Sequence, residues 1–158
     1  MVSLLTGELK SGRTIGMVID QRGNEDHKIF CEFFGMPAPT NPAPALIAIR
    51  GDALILPVSA VRNGRTYTFT FEKPIDSRQY GYDCQDIYKV SDCWRSQSIV
   101  SLSRTMQSWL ETAIRKCPQQ WFWIHSRWLR RSDMKPVLRS RADFSQYVES
   151  VAEKMQTY

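Results

Sequence analysis

"ALILPVSAVRNGRTYTFTFE", residues 53–72, joins an apolar run to a strictly alternating one through Arg62-Asn63-Gly64-Arg65. Asn-Gly is the strongest short-range hairpin signal, because a type I′ turn needs positive φ at both central residues. The flanks therefore predict an antiparallel hairpin over residues 53–73, with "ALILPVSAV" as its buried strand. Upstream, "RTIGMVID" (13–20) is a run of strand formers ending at Asp20, followed by the polar loop "QRGNED", and "KIFCEFF" (28–34) is a second short strand. "APTNPAP" (38–44) reads as a proline-rich link. "ALIAIRGD" then reads as a short helix ending at Gly51, with Pro42 and Pro44 fitting only a first helical turn. "LLTGELKSG" (4–12) is the end of a short helix stopped by glycine.

Downstream of the hairpin, residues 74–93 carry no periodic pattern. In "SQSIVSLSRTMQSWLETAIRKC" (96–117), apolar residues at 99, 102, 106, 109, 110, 113 and 114 follow the 3.6-residue period of an amphipathic helix. Pro118 ends that helix and can open another through "QQWFWIHSRW", and a last helix is expected from about Asp143 to Met155. The order is α/β: about four to five strands with the hairpin at 53–73, followed by C-terminal helices. We expect a single domain over 1–158, with an α/β part (1–93) and a helical part (94–158).

The composition, 42% apolar and 23% charged over 158 residues, is that of a globular chain. No run of 18 apolar residues exists to span a membrane, and the N-terminal residues lack the features of a signal peptide; an interfacial protein stays open. The cysteines (31, 84, 93, 117) form no C-x-x-C pair and have no histidine at zinc spacing, so reduced structural thiols and no metal site are expected. Charge is uneven. Residues 1–114 balance, whereas residues 115–141 set eight cations against Asp133 alone. Within that segment "RWLRRSDMKPVLRSR" interleaves aromatic and basic residues, which fits either an anionic membrane surface or nucleic acid. The neutral sheet region and the lack of a nucleic-acid motif weigh against the second.

His27 and Glu32 in "HKIFCEFFG" have the H-x-x-x-x-D/E spacing of an acyl-transfer pair, in which imidazole takes the proton of an attacking hydroxyl and the carboxylate holds the ring. On a strand an offset of five places the two on opposite faces, and on a helix they diverge as well. Local geometry argues against catalysis by this pair.

Three segments together resemble the bacterial lipid A biosynthesis acyltransferases, the late lauroyl and myristoyl transferases of the lysophospholipid-acyltransferase superfamily. They are "GMVIDQRGNEDHKIFCEFFGMPAPTNPAPALIAIRGDALILPV", "YTFTFEKPID" and "LETAIRKCPQQWFWIHSRW", in which Gln120, Trp121, Trp123, His125, Arg127 and Trp128 fall in the family's closing signature. In that family the catalytic pair precedes the Asp-Gln strand by several tens of residues, so His27 and Glu32 do not occupy its positions. The resemblance implies the C-terminal half of an incomplete acyltransferase-type domain, inactive alone. The implied donor is an acyl carrier protein thioester with no other cofactor, and the acceptor a hydroxyl of a lipid A precursor at the cytoplasmic face of the inner membrane.

Asp20 and Gln21, at a strand end, are placed beside the substrate cleft or simply cap the strand. Arg22 and Lys28 would meet a phosphate of the acceptor or remain solvated loop charges. Trp121, Trp123, Arg127, Trp128, Arg130 and Arg131 form a membrane or partner patch, with core packing of the rings as the alternative. Implied partners are the carrier protein, anionic lipid and a missing N-terminal half, whose absence would leave "TIGMVID" an open edge. No nucleic acid is expected.

Overall fold

The computed structural model of the chain describes residues 1–23, 28–81, 93, 95–125 and 127–128. Helix α1 (Val2–Lys10) precedes β1 (Ile29–Phe33), β2 (Met36–Thr40) and helix α2 (Ala43–Arg50). Then come β3 (Leu54–Ile55), β4 (Val58–Asn63), β5 (Thr66–Phe71), β6 (Ile75–Asp76) and the 20-residue helix α3 (Gln97–Lys116). Single 3-10 turns cover Ser77–Tyr80 and Pro118–Gln120. The mixed α/β class is as expected, and the described strands form antiparallel pairs: β1 with β2, β3 with β6, and β4 with β5. The last expected helix, residues 143–155, lies outside the described residues.

Helix α2 is the centre of the core. Pro42 caps it and Pro44 sits in its first turn, where a missing N–H costs nothing. Residues 43–49 are buried on every side, as suits a helix apolar all round. It packs against Val2, Leu5 and Leu9 of α1 and against Ile99, Leu102 and Met106 of α3. Further along, Leu110 and Ile114 of α3 leave that cluster and pack with Phe33 and Ala38 of the β1–β2 pair. Ile19 touches both clusters, so Asp20 stands at their junction. The helical period read from the sequence is the one that builds this seam.

Several expectations are corrected. The hairpin exists, but its turn is one residue later than Asn63-Gly64. Asn63 pairs with Thr66, leaving Gly64 and Arg65 as the central residues. Gly64 has φ +63 while Arg65 stays at negative φ, the II′ pattern, which also matches strand twist but asks for glycine only at its first position. "ALILPVSAV" is neither continuous nor buried. Pro57 separates β3 from β4, β3 pairs with β6, and β4 is at most half-buried. The proline-rich link is instead strand β2, and Pro37 and Pro39, two apart, put both missing donors on one edge of it. "RTIGMVID" forms no strand, and the described residues of "QQWFWIHSRW" form no helix beyond the turn at Pro118–Gln120. Cys93 is disulfide-bonded, against the expectation of reduced thiols throughout, while Cys31 and Cys117 are free.

The corrected turn makes a specific prediction. Nothing lies within 4 Å of where a Cβ on Gly64 would sit, so Gly64→Ala meets only the backbone strain of positive φ. It should cost about 1 kcal/mol in urea unfolding, and Asn63→Ala distinctly less. Equal losses at the two positions would restore the Asn63-Gly64 turn.

Candidate functional site

The site grows from the turn between β1 and β2. Phe34 and Gly35 occupy it with φ values of +53 and +73, positive at both central positions as a type I′ turn requires. Phenylalanine is a strained occupant of such a position. Its conformation is held from outside: the Phe34 N–H donates to Glu111 Oε1 of α3 at 2.6 Å. Its ring meets Phe33 edge-on at 4.8 Å and lies under the Arg115 guanidinium at 4.7 Å. The turn thus fixes Phe33 and Phe34 as a platform for the closing segment.

Trp121 packs edge-on against Phe33 at 5.7 Å, Trp123 at 4.6 Å and His125 at 5.0 Å. Each of the three indole N–H groups finds an acceptor: Trp121 donates to Asp20 Oδ2 (3.3 Å), Trp123 to the Pro118 carbonyl (2.7 Å) and Trp128 to the Phe33 carbonyl (3.1 Å). A lipid-anchoring indole leaves its N–H at the wet interface; those of Trp121 and Trp128 turn inward, while exposed Trp123 satisfies its own locally. His125 Nε2 lies 3.2 Å from the Asp20 carbonyl oxygen, and Nδ1 contacts the Phe122 carbonyl oxygen.

Arg127 is fully buried. Its Nη1 donates to the Pro39 carbonyl at 2.6 Å, and its Nη2 to Thr40 Oγ1 at 3.0 Å and Gln107 Oε1 at 2.7 Å. The guanidinium also stands 4.9 Å from the Phe33 ring centroid. Burial pulls its pKa down to about 10, opposed by the charges of Cys31 and Asp20, so it remains a cation at neutral pH. Gln107 passes the tie onward by donating from Nε2 to the Ile19 carbonyl at 3.2 Å. Sequence reasoning missed Gln107. Its signal was present: a polar amide three residues before Leu110 and seven before Ile114, on the apolar stripe of the helix.

Beside this cluster opens a cleft of about 940 Å³. It is bounded by residues 12–20, the α2–β3 junction, β4 and the C-terminal half of α3, with Ile19, Ile47, Leu54, Leu110, Ile114 and Trp121 among its lining. Asp20 is one of its few acidic groups, and its Oδ1 is buried without a hydrogen-bond partner. Gln21 is exposed. Arg22, half-buried, donates from Nη1 to the Trp128 carbonyl and bridges Thr40, while Lys28 is also half-buried. Glu32 is exposed on β1, on the face opposite to buried Ile29, Cys31 and Phe33. His27, Arg130 and Arg131 lie outside the described residues.

The expected exposed patch is therefore corrected at Arg127, whose charge is turned into the interior. Trp121 and Trp128 are half-buried, and among the described residues of the segment the exposed apolar groups are Trp123, Phe122 and Ile124. Among the described residues no three His, Cys, Asp or Glu side chains converge on a metal-binding position.

A mixed α/β chain with an open apolar cleft and an acidic, aromatic end wall is a domain shaped for a largely apolar occupant. No helix among the described residues is long and apolar enough to cross a membrane. Residues 2–130 match the bacterial lipid A biosynthesis acyltransferase family, and the chain belongs to it. No curated protein matches the chain.

Cys31, behind this cluster, tests its packing. Burial raises its thiol above the ordinary 9.0, only partly offset by the Thr40 hydrogen bond and the charges of Arg104 and Arg127. In a native maleimide pulse at pH 8, half-buried Cys117 should label and Cys31 should label only on unfolding. Because the folded value is the higher one, the contribution of Cys31 to stability is complete at pH 8 and fades as pH rises through that value. Rapid native labelling of Cys31 would contradict the packing.

Proposed function

We propose that this chain is the cleft-forming part of a lipid A acyltransferase domain, working on a fatty acyl thioester of acyl carrier protein and a hydroxyl of a lipid A precursor. Family membership over residues 2–130, with an apolar cleft ending at Asp20, is the observation that carries this reading. In such a reaction the hydroxyl oxygen attacks the thioester carbonyl, its proton passes to an imidazole, and the carrier thiolate leaves. The apolar walls suit the acyl chain. Asp20, Gln21, Arg22 and Lys28 stand at the polar rim, where the acceptor's hydroxyl and phosphate groups would lie. The cations of residues 115–141 suit an acidic carrier protein or the anionic cytoplasmic face of the inner membrane, where the chain would act as a peripheral protein.

The same reading makes the chain inactive by itself. Among the described residues, His125 has both ring nitrogens against carbonyl oxygens and no carboxylate positioned to hold it as a general base. Glu32 stands exposed on the face of β1 opposite to buried Ile29, Cys31 and Phe33. Purified chain, given labelled acyl carrier protein thioester and lipid A precursor, is expected to show no transfer above the rate without protein. Transfer that disappears with His27→Ala would overturn this.

A further inference from the structure

The β4–β5 hairpin is joined to the rest of the described residues by very little. Its base is placed to continue the β3–β6 pair as one ribbon, since Ile55 pairs with Ile75 and Val58 with Phe71. The ladder breaks between those pairs. Pro57 on one strand and Pro74 on the other have no N–H to donate, and the one backbone bond across the gap runs from the Glu72 N–H to the Pro57 carbonyl at 3.0 Å. On the core side of the break, Ala53, Ile55 and Ile75 pack against the α2 cluster. Beyond it, no residue from 57 to 73 joins either hydrophobic cluster, and Tyr67, Phe69 and Phe71 are each at least 60% exposed. Yet Val58, Ser59, Ala60, Val61 and Phe71 line the apolar cleft. A wall of the cleft is thus built from a segment that the core does not hold.

Among the described residues, two polar ties hold this wall to α3 and the turn that follows it. Beside the break, Lys116 Nζ meets Glu72 Oε1 at 2.7 Å, a surface ion pair of small worth. Beside the hairpin turn, Gln120 Oε1 accepts from the Arg62 N–H at 2.7 Å while Gln120 Nε2 donates to the Arg62 carbonyl at 2.8 Å. A primary amide carries the acceptor and donor of a peptide unit, so Gln120 meets Arg62 as a residue of a neighbouring strand would. Both backbone groups of Arg62 point to the outer edge, which makes Arg62–Tyr67 a non-hydrogen-bonded pair of the ladder. Gln120 directly precedes Trp121, whose indole closes the cleft on Asp20, so this clasp joins the free end of the hairpin to the end wall. We propose that the β4–β5 hairpin is a flap over the cleft, hinged where Pro57 and Pro74 break the ribbon, and that Gln120 is the positioning residue that latches its free end. With both Gln120 bonds broken, the hairpin swings about its base as a unit and opens the cleft along its side. Resting on the reading of the cleft as the seat of an acyl chain, the flap is the gate that such a chain passes both entering and leaving.

The test follows uptake of a fluorescent polyene fatty acid by the full 158-residue chain in stopped flow, alongside amide exchange by NMR. Because the latch breaks whichever way the fatty acid passes, Gln120→Ala should raise the association and dissociation rate constants together, each about fivefold to tenfold, with Kd held within about twofold. A residue that only shaped the cleft would change Kd instead. Lys116→Ala, which cuts the tie beside the hinge, should alter neither rate constant by more than about twofold. In Gln120→Ala the Arg62 amide should exchange about tenfold faster, while the Thr68 and Thr70 amides, inside the β4–β5 ladder, keep the protection of the parent chain. Equal acceleration of all three amides would overturn the proposal, since the hairpin would then unravel rather than swing. So would fatty-acid uptake whose rate constants Gln120→Ala leaves unchanged, or an effect confined to dissociation. A parent chain that takes up no fatty acid would sink the reading of function, and the exchange pattern would then decide the flap by itself.

Discussion

A buried guanidinium organises this chain. Arg127 carries a positive charge into the interior, where an uncompensated ion is costly. The charge is tolerated because three neutral oxygens, a phenyl face and the nearby charge of Asp20 surround it. Those oxygens come from β2 and α3, so the closing segment, the β1–β2 pair and the long helix meet at one side chain. A lysine at this position would offer one compact ammonium and could not fork across the three acceptors. Gln107 extends the junction to the Ile19 carbonyl and thereby sets where Asp20 stands.

The arrangement divides the molecule into a finished side and an unfinished one. On the first, the three indole N–H groups are satisfied, the strained Phe34 is held by Glu111, and both Nη groups of Arg127 have acceptors while its Nε is buried without one. On the second, an apolar cleft, an outward-facing aromatic hairpin and unpaired strand-forming backbone lie together. Trp121, Arg127 and Trp128 shape and fasten the end wall of the cleft. Among the described residues, His125 sits at this end wall with both ring nitrogens against carbonyl oxygens.

Local physics was legible where it was self-contained. The 3.6-residue period gave α3 and its buried face, the prolines placed the start of α2, and the alternation in "TYTFTF" gave β5. What escaped depended on distant partners. The Asn-Gly signal pointed to the right hairpin but not to its register, since Gly64-Arg65 also satisfies the twist of the strands. Phe34-Gly35 does not look like a two-residue turn, because the support that lets phenylalanine hold positive φ comes from Glu111, 77 positions away. β2 reads as a link because its prolines hide a strand with one open edge. In the candidate site, Asp20 was legible as the end of an apolar run. Arg127 looked like one more cation in a basic segment, and only its neighbours across 20 and 88 residues reveal it as a buried tie.

Whether the closing segment fastens the fold through Arg127 on Gln107 can be read from a double-mutant cycle. Arg127→Met, Gln107→Leu and the double variant would be compared with the parent chain by equilibrium urea unfolding. The single losses should fail to add, with a coupling of about 1–3 kcal/mol, as for groups sharing one buried hydrogen-bond network. Losses that add to within about 0.5 kcal/mol would show the two side chains acting independently and would contradict it.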